Sequence, residues 1–179
     1  MRPQNEHELI SACLKGNQQA QRHLYNLYKA DLFGLCLRYA HDREEAHDIL
    51  QEGFIKIFKN LDRFKPICPV IFWMKKIMVN AALEHLRKHK KHKQSQYELN
   101  EEICESQLDT RDVQNTAELV ELIQKLPVDY RMVFNLYAIE GYTHKEIAEL
   151  MDIRESTSKV RLMRARGMLQ MKLKQQMSA

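Results

Sequence analysis

A stretch near the end of the chain, residues 154–166, combines small polar side chains with arginines and lysines. Hydroxyl, ammonium and guanidinium groups donate hydrogen bonds to phosphate oxygens and base edges, so this combination is typical of DNA binding. The alternative interpretation is a solvated basic face of a helical hairpin. The side chains expected on the outer surface are Ser156, Thr157, Lys159, Val160, Arg161 and Arg164.

Two short helices joined by a turn would position these side chains. Thr143 and Glu146 have the spacing of a capping box, in which each side chain bonds a backbone N–H of the other's turn. Residues 151–154 are short enough for the turn. A second helix is expected from Glu155, because one buried stripe then runs along it at helical spacing. The stripe consists of Ser158, Leu162, Ala165 and Leu169. The sequence therefore predicts a helix-turn-helix whose second helix could enter a major groove.

Composition favours a helical protein of one domain or two small ones. The chain has 179 residues, 44% of them hydrophobic, and only five glycines and four prolines. The net charge of +4 is modest but unevenly spread, since residues 87–93 and 154–174 are basic whereas residues 98–112 are acidic. Two basic segments separated by an acidic one indicate two sites for a polyanion.

The cysteines and the hydropathy pattern point to a cytoplasmic protein. Cys13, Cys36, Cys68 and Cys104 have no short pairing and are expected to be reduced, partly buried thiols. The polar N-terminal segment does not resemble a signal peptide. No apolar run approaches the roughly twenty residues of a membrane helix, so we expect no stable membrane insertion.

The first half reads as a series of amphipathic helices beginning near Asn5. The most regular has its apolar side chains at helical spacing, from Leu50 to Leu61. Asp48, Gln51 and Glu52 lie elsewhere on its surface, either as a solvated face or as a docking surface for a partner.

A proline-containing loop and a basic helix follow. Residues 64–72 are expected to form a loop because Pro66 and Pro69 interrupt a helix. Trp73 is expected to start a helix that ends in basic residues 87–93. This arrangement could combine base stacking with phosphate attraction, although a tryptophan at that spacing is more often part of a core. The acidic residues that follow read as a linker, and helices resume near Thr116.

Four segments in a fixed order carry a family resemblance. They read DREEAHDILQEGFIKIFKNLDRF, WMKKIMVNAALEHLRKHKK, LPVDYRMVFNLYAIEGYTHKEIAELMDI and TSKVRLMRAR. Together they resemble bacterial RNA polymerase sigma factors of the extracytoplasmic-function (ECF) type. The resemblance implies an all-α fold of two small helical domains. Sigma region two would span residues 5–93, a flexible linker residues 94–115, and region four, with the helix-turn-helix, residues 116–175.

The resemblance also implies a function and partners. Such a protein binds core RNA polymerase, through the β′ clamp helices and the β flap, and directs promoter-specific initiation of transcription. It is not itself an enzyme and needs no cofactor. An anti-sigma factor is a further candidate partner, because such inhibitors are common in the family.

Each group of site residues is carried over from the family's motifs. Polymerase binding would involve Asp48, Gln51, Glu52 and Phe54. Melting and reading the minus-ten promoter element would involve Phe64, Trp73, Asn80, Glu84, Arg87 and Lys88. The minus-thirty-five element would be contacted by Thr143, Lys145, Ser156, Thr157, Lys159, Arg161 and Arg164, the first two at phosphates.

One segment and two single positions depart from the family pattern. Residues 65–69, with two prolines and a cysteine, stand where small and acidic residues are common. Arg154 replaces a frequent capping serine before the recognition helix. Ser158 replaces a commonly apolar core residue and is small enough to be tolerated.

Two other functions compete with this one. A helix-turn-helix regulator that never binds polymerase would account for residues 116–175 but leaves the first half unexplained. A metal-dependent enzyme could use His85, His89 and His92, which share one helix face, but the neighbouring lysines would repel a cation.

Overall fold

The computed structural model of the protein describes residues 6–94 and 116–177. Within these ranges all regular structure is helical, which confirms the all-α prediction. Residues up to His85 form one compact unit, and residues from Leu86 onward form a second. Residues 95–115, nearly all of the predicted linker, lie outside the described residues, so the predicted domain limits stay predictions.

Side chains cap the starts of the second and third helices. Helix α1 spans Glu6–Leu14, α2 spans Gln18–Tyr39 and α3 spans Arg43–Lys59. Asn17 Oδ1 accepts hydrogen bonds from the backbone N–H groups of residues 19 and 20, at 2.9 and 3.1 Å. Asp42 Oδ1 accepts from the N–H of Glu45 at 2.8 Å, and this bond lowers the pKa of the Asp42 carboxyl. The charged cap favours the start of α3 through the helix dipole.

Helix α4 spans Val70–Gln94 and begins three residues earlier than predicted. A single helical turn at Leu61–Arg63 precedes the loop. Both prolines of the loop lie before α4 and therefore do not interrupt it. The N–H of Val70 donates to Glu6 Oε1 at 2.7 Å, and the Val70 side chain is fully buried. This contact with α1, distant in sequence, lets the helix start at Val70 rather than at Trp73.

The core of the first unit lies between α2, α3 and α4. Close packing of α3 on α4 depends on Gly53, because a β-carbon there would overlap the buried side chain of Met78. His85 of α4 is also buried and lies between Glu45 and Glu52 of α3, 3.6 Å from each. The main core side chains are Leu24, Leu32, Leu35, Tyr39, Ile49, Phe54, Ile57, Met74 and Met78.

Beyond the end of α4, the described part of the second unit contains four α-helices. They are α5, Thr116–Gln124; α6, Val128–Phe134; α7, His144–Met151; and α8, Glu155–Met177. Pro127 stands just before the first residue of α6. A wider π-helical turn at Asn135–Ile139, which the sequence pattern does not predict, extends α6. The chain then turns at Gly141, whose φ of 78° suits glycine.

The predicted stripe of α8 forms part of the second core. Ser158, Leu162, Ala165 and Leu169 are all buried, which confirms the expected orientation of the helix. Ala165 and Leu169 pack with Leu122 and Leu126. Among residues 6–94 and 116–177, no helix is both long enough and apolar enough to cross a bilayer.

Candidate nucleic-acid interfaces

The predicted capping box at the start of α7 is present. The backbone N–H of Glu146 donates to Thr143 Oγ1 at 3.3 Å, and the N–H of Thr143 donates to Glu146 Oε2 at 2.8 Å. The Thr143 hydroxyl also donates to Glu146 Oε2 at 2.7 Å. These bonds fix the start of α7. Thr143 and Lys145 are both exposed there.

The turn between α7 and α8 is fixed by a left-handed residue and by a side-chain bond between the helices. Asp152 has a φ of 53°, and the N–H of Ile153 donates to the carbonyl of Ala148 at 3.0 Å. Across the turn, His144 Nδ1 lies 2.9 Å from Ser158 Oγ. The departure at Ser158 therefore has a structural reason beyond small size, since a buried hydroxyl needs a partner. No local sequence pattern indicates this role of His144, because its partner lies 14 residues away.

The predicted DNA contacts of α8 differ in how freely they face solvent. Ser156, Lys159 and Arg164 are exposed, whereas Thr157 is half-buried. Lys159 Nζ lies 2.7 Å from Glu155 Oε1, and this hydrogen bond lowers the pKa of the Glu155 carboxyl. Arg164 Nη1 donates to the hydroxyl of Tyr130 at 3.1 Å.

Arg161 differs from the other basic side chains of α8. Its Nη2 lies 3.0 Å from Asp129 Oδ2 of α6, and only 20% of its side chain is exposed. The guanidinium thus joins α8 to α6. A contact from Arg161 to DNA stays a prediction, and it would compete with this ion pair.

On α3, the predicted polymerase-binding residues divide between surface and core. Asp48 and Gln51 are exposed and Glu52 is half-buried against His85. Phe54 is only 4% exposed, with its ring 4.5 Å from that of Tyr25, so the structure places it in the core. Ile55, which the sequence analysis did not name, is 54% exposed. It lies seven residues after Asp48, two helical turns on, and therefore on the same face.

Five of the six predicted minus-ten residues share one face of α4. Trp73, Asn80 and Arg87 recur every seven residues, and Glu84 and Lys88 lie beside them, opposite the buried Ala82 and Leu86. The Trp73 ring lies 5.6 Å from that of Phe64 in the preceding loop, and both are half-buried. Glu84 is held by Lys56 of α3 at 2.6 Å.

The atypical loop at residues 65–69 encloses a shallow cavity with α1. The cavity has a volume of about 240 Å³ and is lined by Glu6, His7 and Ile10 on one side and by the loop on the other. Ile67 and Cys68 are exposed at its rim. The cavity thus adjoins Phe64, the first of the predicted minus-ten residues.

The described residues contain no group of three histidine, cysteine or acidic side chains arranged for a metal ion. His85, one of the three histidines weighed as ligands, is buried between two carboxylates of α3. The side chains of His89 and His92 lie outside the part of the structure that is described.

Comparison with known proteins matches both units. Residues 24–92 match the family Sigma-70 region 2, and residues 116–169 match the family Sigma-70, region 4. The ECF RNA polymerase sigma factor SigW of Bacillus subtilis is 31% identical over 181 residues, covering 92% of this chain and 95% of the relative. The RNA polymerase sigma-H factor of Pseudomonas aeruginosa is 27% identical over 175 residues, covering 91% of each chain.

Two solved structures share the fold. CnrH, in complex with the cytosolic domain of CnrY, superposes with a TM-score of 0.51 at 21% identity and covers 94% of this chain and 97% of its own. The sigma factor RpoE of Bartonella quintana, in complex with the anti-sigma factor NepR, has a TM-score of 0.54 at 22% identity, covering 86% and 96%. The likeness to both solved chains extends over most of this protein and shows a shared fold.

Proposed function

This chain belongs to the sigma-70 family of RNA polymerase sigma factors, of the ECF type, and we propose that it binds core polymerase and recognises two promoter elements. As a member of the family it directs promoter-specific initiation of transcription. Working with the polymerase would place it in the cytoplasm. The polymerase would perform the chemistry, and we assign this chain no catalytic residue or cofactor.

The observation that carries the proposal is the capped, hydrogen-bonded helix-turn-helix of the second unit. The capping box and the His144–Ser158 bond fix α7 against α8, which supports a rigid presentation of Ser156 and Lys159 to duplex DNA. We assign α8 to the minus-thirty-five element. Thr143 and Lys145 would contact phosphates at the entrance, where the N-terminus of α7 favours negative charge.

For polymerase binding we propose the face of α3 that carries Asp48, Gln51 and Ile55. The exposed carboxylate of Asp48 and the half-buried carboxylate of Glu52 beside the apolar Ile55 fit a partner helix that is basic with an apolar centre. Glu52 would act from the edge of this face, through its contact with His85. Phe54 would support the face from the core. The β′ clamp helices are the proposed partner for this face, and the β flap for the second unit.

For the minus-ten element we propose the outer face of α4 and the loop before it. Separating the strands and flipping a base cost a few kcal/mol, which contacts to the captured base must recover. The tilted rings of Phe64 and Trp73 offer stacking surfaces, and Arg87 and Lys88 offer phosphate contacts. An anti-sigma factor, like the partner of the structurally similar RpoE, is proposed as a regulator.

Run-off transcription with purified core polymerase and a pool of genomic promoters tests the proposal. We expect new transcripts that depend on this protein, whose upstream sequences share two elements. Specific binding of the protein alone to duplex DNA, without new transcripts, would instead favour a helix-turn-helix regulator.

Charge-reversal variants give the test a matched control. Asp48→Lys should reduce capture of core polymerase in a pull-down, because like charges would then face a basic partner. Asp31→Lys makes the same type of change on the exposed surface of α2 and should leave capture unchanged. Equal capture by all three proteins would contradict the assignment of the α3 face.

A further inference from the structure

The outermost line of α8 is apolar rather than basic. Val160 and Met163 lie opposite the buried stripe that contains Ser158 and Leu162, and they are 44% and 66% exposed. Met171 continues the line further along the helix and is 62% exposed. The basic side chains in the first half of α8 therefore flank this line instead of forming it.

The flanks carry cations on both sides. Lys159 and Arg166 lie on one side of the apolar line, and Arg164 lies on the other. The guanidinium of Arg166 lies 5.8 Å from the centre of the Tyr137 ring, and Arg164 bonds Tyr130, so both are anchored toward the edges of the helix. An apolar line between two rows of cations matches a major groove, which has phosphate walls on its sides and base edges on its floor.

Thymine supplies the apolar group on that floor. Its C5-methyl projects into the major groove, and apolar side chains contact it there. Val160 and Met163 lie about 8 and 12 Å from the first residue of α8 at a rise of roughly 1.5 Å per residue. Both distances are within the groove width of about 12 Å, whereas Met171 lies about 24 Å along the helix and beyond it.

We propose that Val160 and Met163 determine base specificity by contacting thymine methyl groups, so that the upstream promoter element carries A·T pairs where these side chains reach. This inference rests on the assignment of α8 to that element. Lys159 and Arg164 would contribute affinity through phosphates, and the apolar line would contribute the choice of base.

Replacing thymine by deoxyuridine tests this contact, because only the methyl group is removed. The probe is a duplex containing the upstream element of a promoter obtained from the transcription experiment, with its thymines changed one at a time. The complex of full-length protein and core polymerase is titrated with each duplex by fluorescence anisotropy. We expect at least one substitution to weaken binding about fourfold, which corresponds to one methyl group removed from water.

Variants of the protein assign the effect to a side chain. Met163→Ala or Val160→Ala should bind the thymine and deoxyuridine duplexes equally at the sensitive position. Met171→Ala is the control, because it removes an exposed methionine from the same line of α8 but outside the groove. This variant should still distinguish thymine from deoxyuridine as the wild-type protein does. Lys159→Ala should weaken binding to both duplexes by the same factor. Unchanged melting temperatures of these surface variants would show that the fold is intact.

The outcomes separate the inference from the function it rests on. If the wild-type complex prefers promoter over unrelated duplex but ignores every deoxyuridine, the thymine contact is wrong and the assignment of α8 stands. Discrimination that survives in both Val160→Ala and Met163→Ala also overturns the inference. A complex without any promoter preference overturns both.

Discussion

At the scale of single residues, side chains expected to bind DNA also hold the fold together. Arg161 pairs with Asp129, and Arg164 bonds Tyr130, so α8 and α6 are joined by two contacts of the basic helix. A loss of promoter binding in a variant of Arg161 would therefore have two origins. Stability has to be measured beside DNA binding to separate them.

A double-mutant cycle on Asp129 and Arg161 isolates the structural part. Asp129→Ala and Arg161→Ala should each destabilise the second unit, with a coupling of about 0.5–1 kcal/mol because the pair is only partly exposed. The coupling energy is obtained from urea unfolding of the wild-type protein, the two single variants and the double variant. The exposed pair of Glu155 and Lys159 is the control and should couple less. A coupling energy of zero would show that the ion pair does not stabilise the second unit. Arg161 could then contact DNA without a loss of stability.

The cysteines should differ sharply in reactivity. Burial raises the pKa of the Cys36 thiol to about 12, whereas Cys68 is exposed. Because the thiolate is the reactive form, iodoacetamide at pH 8 should label Cys68 quickly and Cys36 only after unfolding. Peptide mapping by mass spectrometry, with Cys104→Ser to simplify the pattern and a urea-treated control, checks this. Rapid labelling of Cys36 in the folded protein would contradict its burial.

The same shift predicts a loss of stability in alkali. The unfolded thiol loses its proton above the ordinary pKa of 9.0, while the folded one keeps it up to about 12. Cys36 therefore contributes full stability below pH 9.0, and this contribution falls as the pH rises from 9.0 toward 12. Cys36→Ala should have a flatter stability profile over this pH range.

At the scale of elements, the contact between α3 and α4 depends on a missing side chain. A β-carbon at Gly53 would lie 2.6 Å from Cε of Met78, which is fully buried and has little room to move. This packing positions the proposed polymerase-binding face of α3 and the proposed minus-ten face of α4. Gly53 is thus the residue on which the geometry of both proposed surfaces depends.

Two glycine variants test this packing. Gly53→Ala should destabilise the protein by about 1–3 kcal/mol through overpacking. Gly34→Ala in α2 is the matched control, since a β-carbon there meets no atom within 4 Å. It should stabilise the protein by about 0.5–1 kcal/mol through its better helix propensity. Thermal unfolding of both variants measures the change in stability. If Gly53→Ala stabilised the protein, the Met78 side chain would have to move aside to make room for the β-carbon.

At the scale of the whole molecule, the proposed tasks fall on separate units of one chain. The polymerase-binding face lies on α3 of the first unit, and the minus-thirty-five reader lies on α8 of the second. Ile55→Asp should therefore weaken polymerase capture and leave duplex binding by the free protein unchanged. Lys159→Ala should do the reverse, and variants that impair both functions equally would argue against this division.

The salt dependence of binding gives a further measure of the DNA-binding unit. Binding of a duplex should weaken as salt rises, because each phosphate contact releases a counterion. Lys159→Ala should reduce the slope of log affinity against log salt by about 1. An unchanged slope would indicate that Lys159 stays with Glu155 in the complex rather than moving to a phosphate.

Sequence alone determined the helices, the capping box at Thr143, the buried stripe of α8 and, through the order of four motifs, the family. These features depend on helical periodicity and on neighbours within one turn, so they can be read locally. Tertiary structure decided which side chains are free. Asp129 pairs with Arg161, which lies 32 positions later in the sequence. Glu6 accepts a hydrogen bond from Val70, the first residue of α4, which lies 64 positions later. Helical periodicity already places Phe54 on the buried side of α3. It does not reveal which distant helix contacts each remaining side chain, because those contacts join residues far apart in the sequence.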